Sequence, residues 1–205
     1  LWLWRLIITL LSFKGGVGKT TTAVHLAAYL NAIAPTLLVD GDQNRSSLHW
    51  NERGNLPFKV CDEKEAVRFA RSYEHIVIDT AAQPTKDELK AFINGCDLLI
   101  LPTTADALSL GPTLEISKDM LRSGAQFKVL LTRVHPKPSD AGAEARALLN
   151  AVGLPVFDAE IRALRAFEHA AVQGVVVNQT KDKYRNIAWN CYKKIGEEIC
   201  GKNEV

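Results

Sequence analysis

The sequence has no Cys-x-x-Cys pair, and its four cysteines, Cys61, Cys96, Cys191 and Cys200, show no regular metal-ligand spacing. That excludes a zinc ribbon and predicts reduced thiols of a cytosolic protein instead of a disulfide framework. Charge of one sign is also lacking. The chain carries 25 Lys and Arg against 23 Asp and Glu, a formal net charge of +2, so bulk charge does not announce a nucleic-acid binder, although a local basic face is still open. No apolar run reaches the roughly 20 residues that span a bilayer. The longest candidate, Leu1 to Ser12, is interrupted by Arg5 and followed by no Ala-x-Ala cleavage pattern, which argues against both a membrane anchor and a signal peptide. Internal repeats and low-complexity tracts are missing as well.

What is present is 205 residues at 47% apolar composition, enough for one well-filled core, so a single domain over residues 1–205 is expected. Continuous apolar runs predict strands at Leu6 to Leu11, Thr36 to Val39, Phe58 to Cys61, His75 to Asp79, Asp97 to Leu101 and Phe127 to Thr132. Runs of this kind, without alternation, belong to strands buried on both faces. Helical patterns fall between and after them, at Lys19 to Asn31, Glu63 to Ser72, Lys86 to Asn94, Ala107 to Arg122, Asp140 to Val152, Ile161 to Ala171 and Asp182 to Cys200. The fold class read from this is α/β, a mostly parallel central sheet with helices on both faces. Trp2 and Trp4 precede the first strand and are left to three readings: packing over the sheet edge, contact with a partner or membrane surface, or an artefact of the start site.

The chemistry concentrates after the first strand, in Lys14-Gly15-Gly16-Val17-Gly18-Lys19-Thr20-Thr21. A glycine-rich turn between a strand and a helix lets backbone N–H groups cradle phosphates, with the helix N-terminus adding a favourable field. Lys19 is expected to reach the β and γ phosphates of a nucleoside triphosphate, and the Thr20 hydroxyl to ligate Mg²⁺. Asp40 and Asp42 follow the second strand run and Asp79 closes another, so all three emerge at the carboxyl edge of the sheet beside the loop. Asp40 and Asp42 are expected to divide the labour once the chain turns.

These motifs resemble the ParA/MinD family of deviant Walker ATPases, a branch of the P-loop NTPase fold, over Ile7 to about Ile195. Lys14 through Thr21 match the family's K-G-G-x-G-K-T-T at every fixed position. The resemblance implies ATP and Mg²⁺ as cofactors and a catalytic set of Lys14, Lys19 and Asp42. In it Lys14 crosses the interface of an ATP-bound homodimer, Asp42 orients the attacking water, and Thr20, Asp40 and Asp79 serve the metal. The family's Thr-Pro-Pro after the last of these acids is Thr80-Ala81-Ala82 here, and Thr132 stands where an asparagine often faces adenine.

The stretch from Glu160 to Glu168 resembles a family region bordering the nucleotide and the dimer interface. It offers Arg162 and Arg165, three apart as on a helix, as contacts to double-stranded DNA without sequence preference. Lys181, Lys183 and Arg185 are weaker candidates. The main function implied is that of a partition ATPase in DNA segregation, cytoplasmic and nucleoid-associated when ATP-bound, with a ParB-like or other stimulating partner and no stable membrane insertion. The alternatives are a cell-division or protein-cargo positioning ATPase, and a nucleotide-gated adaptor with negligible turnover.

Overall fold

Among the described residues, Leu-, Ile- and Val-rich runs form six strands: β1 (Leu6–Ser12), β2 (Thr36–Gly41), β3 (Lys59–Asp62), β4 (His75–Ala82), β5 (Leu98–Thr104) and β6 (Phe127–Thr132). The computed structural model describes residues 5–201, so the readings of Trp2 and Trp4 lie outside the described residues. Neighbouring strands are all parallel, in the order β3-β2-β4-β1-β5-β6. The chain leaves β1 toward β2 on one side and later crosses from β4 to β5 on the other. Winding therefore reverses beside β1, and a crevice opens there at the carboxyl ends of the strands.

Among the described residues eight α-helices cover the sheet: α1 (Lys19–Asn31), α2 (Ser46–Glu52), α3 (Glu63–Phe69), α4 (Lys86–Gly95), α5 (Ala107–Arg122), α6 (Ala141–Ala151), α7 (Ala166–Gln173) and α8 (Arg185–Ile199). On one face Ile8, Leu10, Leu38 and Val77 pack under α1, α7 and α8 through Leu26, Leu30, Ala170 and Ile195. On the other, Leu11, Leu99 and Leu131 meet Leu110, Met120 and Leu149, while Leu37 and Val39 meet Ala66 and Phe69. Each such aliphatic side chain contributes about 1.5–3 kcal/mol by leaving water. Helix α1 is held between the sheet and α8 by a close approach: a Cβ on Gly196 would stand 2.3 Å from the Tyr29 ring.

Two segments differ from the expectation. Helix α2 was not foreseen, because seven residues with a single fully buried aromatic, Trp50, leave little periodic signal; the Trp50 Nε1–H donates to the Val175 carbonyl at 3.1 Å and fixes the helix from the tertiary side. The helix expected from Ile161 begins at Ala166. The preceding stretch instead runs alongside β6, with the N–H groups of Phe157, Ile161 and Ala163 donating to Val129, Leu131 and Val134 carbonyls at 2.9–3.0 Å. Backbone groups satisfied by the sheet edge cannot close helical turns, so Arg162 lies on an extended segment, and only Arg165 adjoins α7.

Candidate functional site

The turn after β1 needs backbone that only glycine adopts freely: Gly16 and Gly18 have φ of 79° and 84°. Gly18 is the N-cap of α1, and no side chain caps that end. The first-turn N–H groups are thus left to an anion. The loop lines a cleft of about 1060 Å³ that also takes in Ser12, Asp42, Gln83, Thr132 and Arg133. Gly15, Gly16, Val17, Gly18, Lys19, Thr20 and Thr21 all face it.

Lys19 is buried at the centre of this cleft. Its Nζ donates to Asp79 Oδ1 at 3.0 Å and to the Thr80 carbonyl, and lies 3.7 Å from Asp42 Oδ2. The other Asp79 oxygen accepts from the Ser47 hydroxyl at 2.8 Å. Asp79 is inaccessible to solvent and Lys19 is 8% exposed, so the charges are compensated within a largely low-dielectric setting, where each would be costly alone.

Asp40 and Asp42 stand in different surroundings. Asp40 is fully buried, and its two oxygens accept from the Asp42 N–H at 3.0 Å and the Leu48 N–H at 2.9 Å. Burial pushes its carboxyl above the usual range, and the backbone donors oppose that push. It orders the loop that carries Asp42. Asp42, past the end of β2, keeps one oxygen toward Lys19 and accepts from the Asn44 N–H on the other at 2.9 Å. Ser47, on the unforeseen α2, is a site residue that sequence reasoning missed; a serine with no recognised helix around it gave no signal.

Lys14 stands at the opposite side of the loop, bonded to Asp106 Oδ1 at 3.1 Å and to Ser109 Oγ at 3.0 Å. Asp106 caps α5, accepting from the Ser109 N–H at 3.1 Å. Hydrogen bonds from Thr104, Ser109 and Lys14, that of Thr104 foremost, hold its carboxyl well below the usual carboxylate range. Lys14 is 40% exposed and Asp106 50%, so this pair is accessible and readily exchanged.

Thr132 is buried beneath the loop, with its hydroxyl directed at the Val17 carbonyl at 2.7 Å and the Thr103 carbonyl at 3.1 Å. It positions the loop from below. The next residue, Arg133, has φ 51° and donates from Nη1 to the Gly16 carbonyl at 3.1 Å. Arg162 and Arg165 are exposed and line the same cleft. Arg162 also borders a second groove of about 730 Å³ with Lys193 and Lys194 of α8, two cations that the sequence analysis did not single out.

Behind α1, His25 is fully buried and stacked on Tyr192 at 4.8 Å between ring centroids. Its Nδ1 lies 2.7 Å from the Thr21 carbonyl and its Nε2 accepts from the Val177 N–H at 3.1 Å. Nδ1 therefore carries the proton of a neutral ring, and burial pushes its pKa down to about 4. The Thr22 hydroxyl donates to the Gly18 carbonyl at 2.8 Å and meets the Tyr192 hydroxyl at 3.2 Å. The loop is thereby anchored to α8.

Residues 8–187 match the family described as the CobQ/CobB/MinD/ParA nucleotide binding domain. The chain belongs to that family. Membership supports nucleotide binding and ATPase activity, and the sheet with its flanking helices is the P-loop architecture of the deviant Walker type. The chain is 38% identical to a "Maintenance of carboxysome distribution protein A" from Gloeobacter kilaueensis, over 94% of this chain and 93% of the relative. Among solved structures, an aspartate-to-alanine McdA in complex with ATP from Cyanothece superposes with a TM-score of 0.73 at 18% identity, covering 98% of this chain and 99% of that one. The MinD cell division protein of Aquifex aeolicus does so with 0.75 at 15%, covering 98% and 99%. At such identities the two structures speak for the fold alone.

The residues fit Mg²⁺ with ATP. Among the described residues no three His, Cys, Asp or Glu side chains gather into a metal cage. A cation that keeps its waters and leans on phosphate oxygens needs only one or two protein oxygens, and Thr20 and Asp42 both line the cleft. No described helix is long and apolar enough to cross a membrane.

Proposed function

We propose that this protein is an ATPase that spaces a large protein-bounded cargo, of the carboxysome kind, by cycling between a monomer and an ATP-bound dimer. The observation that carries cargo ahead of DNA segregation is the 38% identity, nearly end to end, with a relative named for carboxysome distribution. The plasmid or chromosome partition role expected from the motifs takes second place.

In this reading the amides of Gly15 to Thr21 wrap the phosphates, and Lys19 exchanges Asp79 for oxygens of the β and γ phosphates. Thr20 would hold Mg²⁺, which would supply charge neutralisation for those phosphates, and Asp79, still fixed by Ser47, would serve the metal without direct ligation. Asp40 keeps the Asp42 loop in register. Asp42 orients the attacking water. Lys14 leaves Asp106 and offsets the facing triphosphate of the second subunit, which ties dimerisation to the γ-phosphate.

Nucleoid DNA serves as the track. Arg162 and Arg165, with Lys193 and Lys194 in a groove that they share with Arg162, Asp158 and Glu160, supply cations that dimerisation doubles, so weak phosphate contacts become useful ones. A partner on the cargo, in the place of a ParB-like protein, stimulates hydrolysis and releases the dimer from DNA. Deleting the gene in the host tests the reading. The expected outcome is clustered or misplaced cargo with normal DNA inheritance, and lost DNA segregation with evenly spaced cargo would overturn it.

A further inference from the structure

Ser12 ends β1 at the floor of the nucleotide cleft, is 3% exposed, and has a hydroxyl that no donor or acceptor among the described residues reaches. A buried hydroxyl left unpaired costs about 1–3 kcal/mol, and such groups call for an explanation. His75 Nδ1 and Ser117 Oγ are also buried and unpartnered, but neither lines the cleft.

The local backbone is arranged around this side chain. Leu10 pairs with Asp79 in register, yet Ser12 pairs with Ala82, so β4 contributes one residue more than β1 between these pairs. Irregularities of this kind sit beside active sites and re-aim side chains. The Ser12 carbonyl accepts from the Gln83 N–H at 2.8 Å, whereas the hydroxyl has no partner among the described residues. Side chains two apart on a strand share a face, and Leu10 packs in the cluster under α1; Ser12 therefore faces the side where the glycine loop wraps.

Ser12 also stands on the side of Lys19: it pairs with Ala82 of β4, two residues past Thr80, whose carbonyl accepts from the Lys19 Nζ next to Asp79. We infer that Ser12 is a further nucleotide-binding residue, whose hydroxyl donates to an oxygen of the terminal phosphate of a nucleoside triphosphate. The contact distinguishes triphosphate from diphosphate, since the phosphates assigned above to Lys19 include one that a diphosphate lacks. The inference rests on the ATP-site reading above.

The test compares wild type with Ser12→Ala by thermal melting and by calorimetric titration with ADP and with a non-hydrolysable ATP analogue. Removing an unpaired hydroxyl should leave the nucleotide-free melting temperature unchanged or higher and ADP affinity within about twofold. Affinity for the analogue should fall about tenfold, the size of one hydrogen bond to a charged group. Ser12→Cys, which keeps the volume and weakens the donor, should show the same order of effects. A lower melting temperature without nucleotide, an equal loss for ADP, or an unchanged affinity for the analogue would overturn the assignment. If wild type binds neither nucleotide, the ATP-site reading fails and the Ser12 assignment falls with it. If wild type binds both and the variants match it, only the assignment falls.

Discussion

Lys14 is bonded at 3.1 Å to Asp106, which lies 92 positions later in the chain. The lysine that distinguishes this loop is therefore held by its own subunit, at the N-terminus of α5. To act across a dimer it must leave that carboxylate. Asp106→Asn should release it and lower the ATP concentration for half-maximal dimerisation by up to about fivefold, because an ion pair this exposed is worth about 1 kcal/mol or less. Sedimentation across an ATP titration checks this, and a raised requirement would show that Asp106 helps the dimer.

The buried Lys19–Asp79 pair predicts that Lys19→Ala damages more than nucleotide binding. With Asp79 fully buried, losing its cation should cost about 3–5 kcal/mol of stability. Urea unfolding would measure it, and Lys19→Ala combined with Asp79→Asn should recover much of the loss. Equal instability of the single and double variants would contradict the pairing.

Asp42→Ala should retain ATP binding and the dimer while hydrolysis falls about 100-fold or more, the usual weight of a group that orients and polarises the nucleophile. Phosphate release measured on the ATP dimer separates the two effects. Hydrolysis at the wild-type rate would move the role to another group.

His25 predicts the acid sensitivity of the fold. Its imidazole is neutral in the folded chain, with a pKa of about 4, and in the unfolded chain it takes up a proton below about pH 6.5. The unfolded state thus binds more protons between these values. The stabilising contribution is complete above pH 6.5 and is lost as pH falls toward 4, by about 3 kcal/mol in total. Denaturant titrations at pH 7 and pH 4.5 should show the decline, and His25→Gln should flatten it.

Much of the fold was legible because parallel strands buried on both faces read as unbroken apolar runs, and all six were foreseen. The glycine loop was equally plain, since its chemistry is carried by contiguous residues. Helix α2 and its Ser47 were not legible: Trp50 and Val175 fix that helix, and they are far apart in sequence. The extended course of Arg162 was also hidden, because pairing with β6 overrides a helical pattern that apolar spacing alone supports. Asp106 gave no warning either, since its bond to Lys14 depends on the adjacency of β1 and β5.

The central claim, that ATP drives dimerisation through Lys14, is tested most directly by light scattering of wild type and Lys14→Ala with ATP and with ADP. The account predicts a wild-type dimer with ATP and a monomer with ADP, and a Lys14→Ala protein that still binds ATP but stays monomeric. A Lys14→Ala dimer as abundant as that of wild type would contradict it.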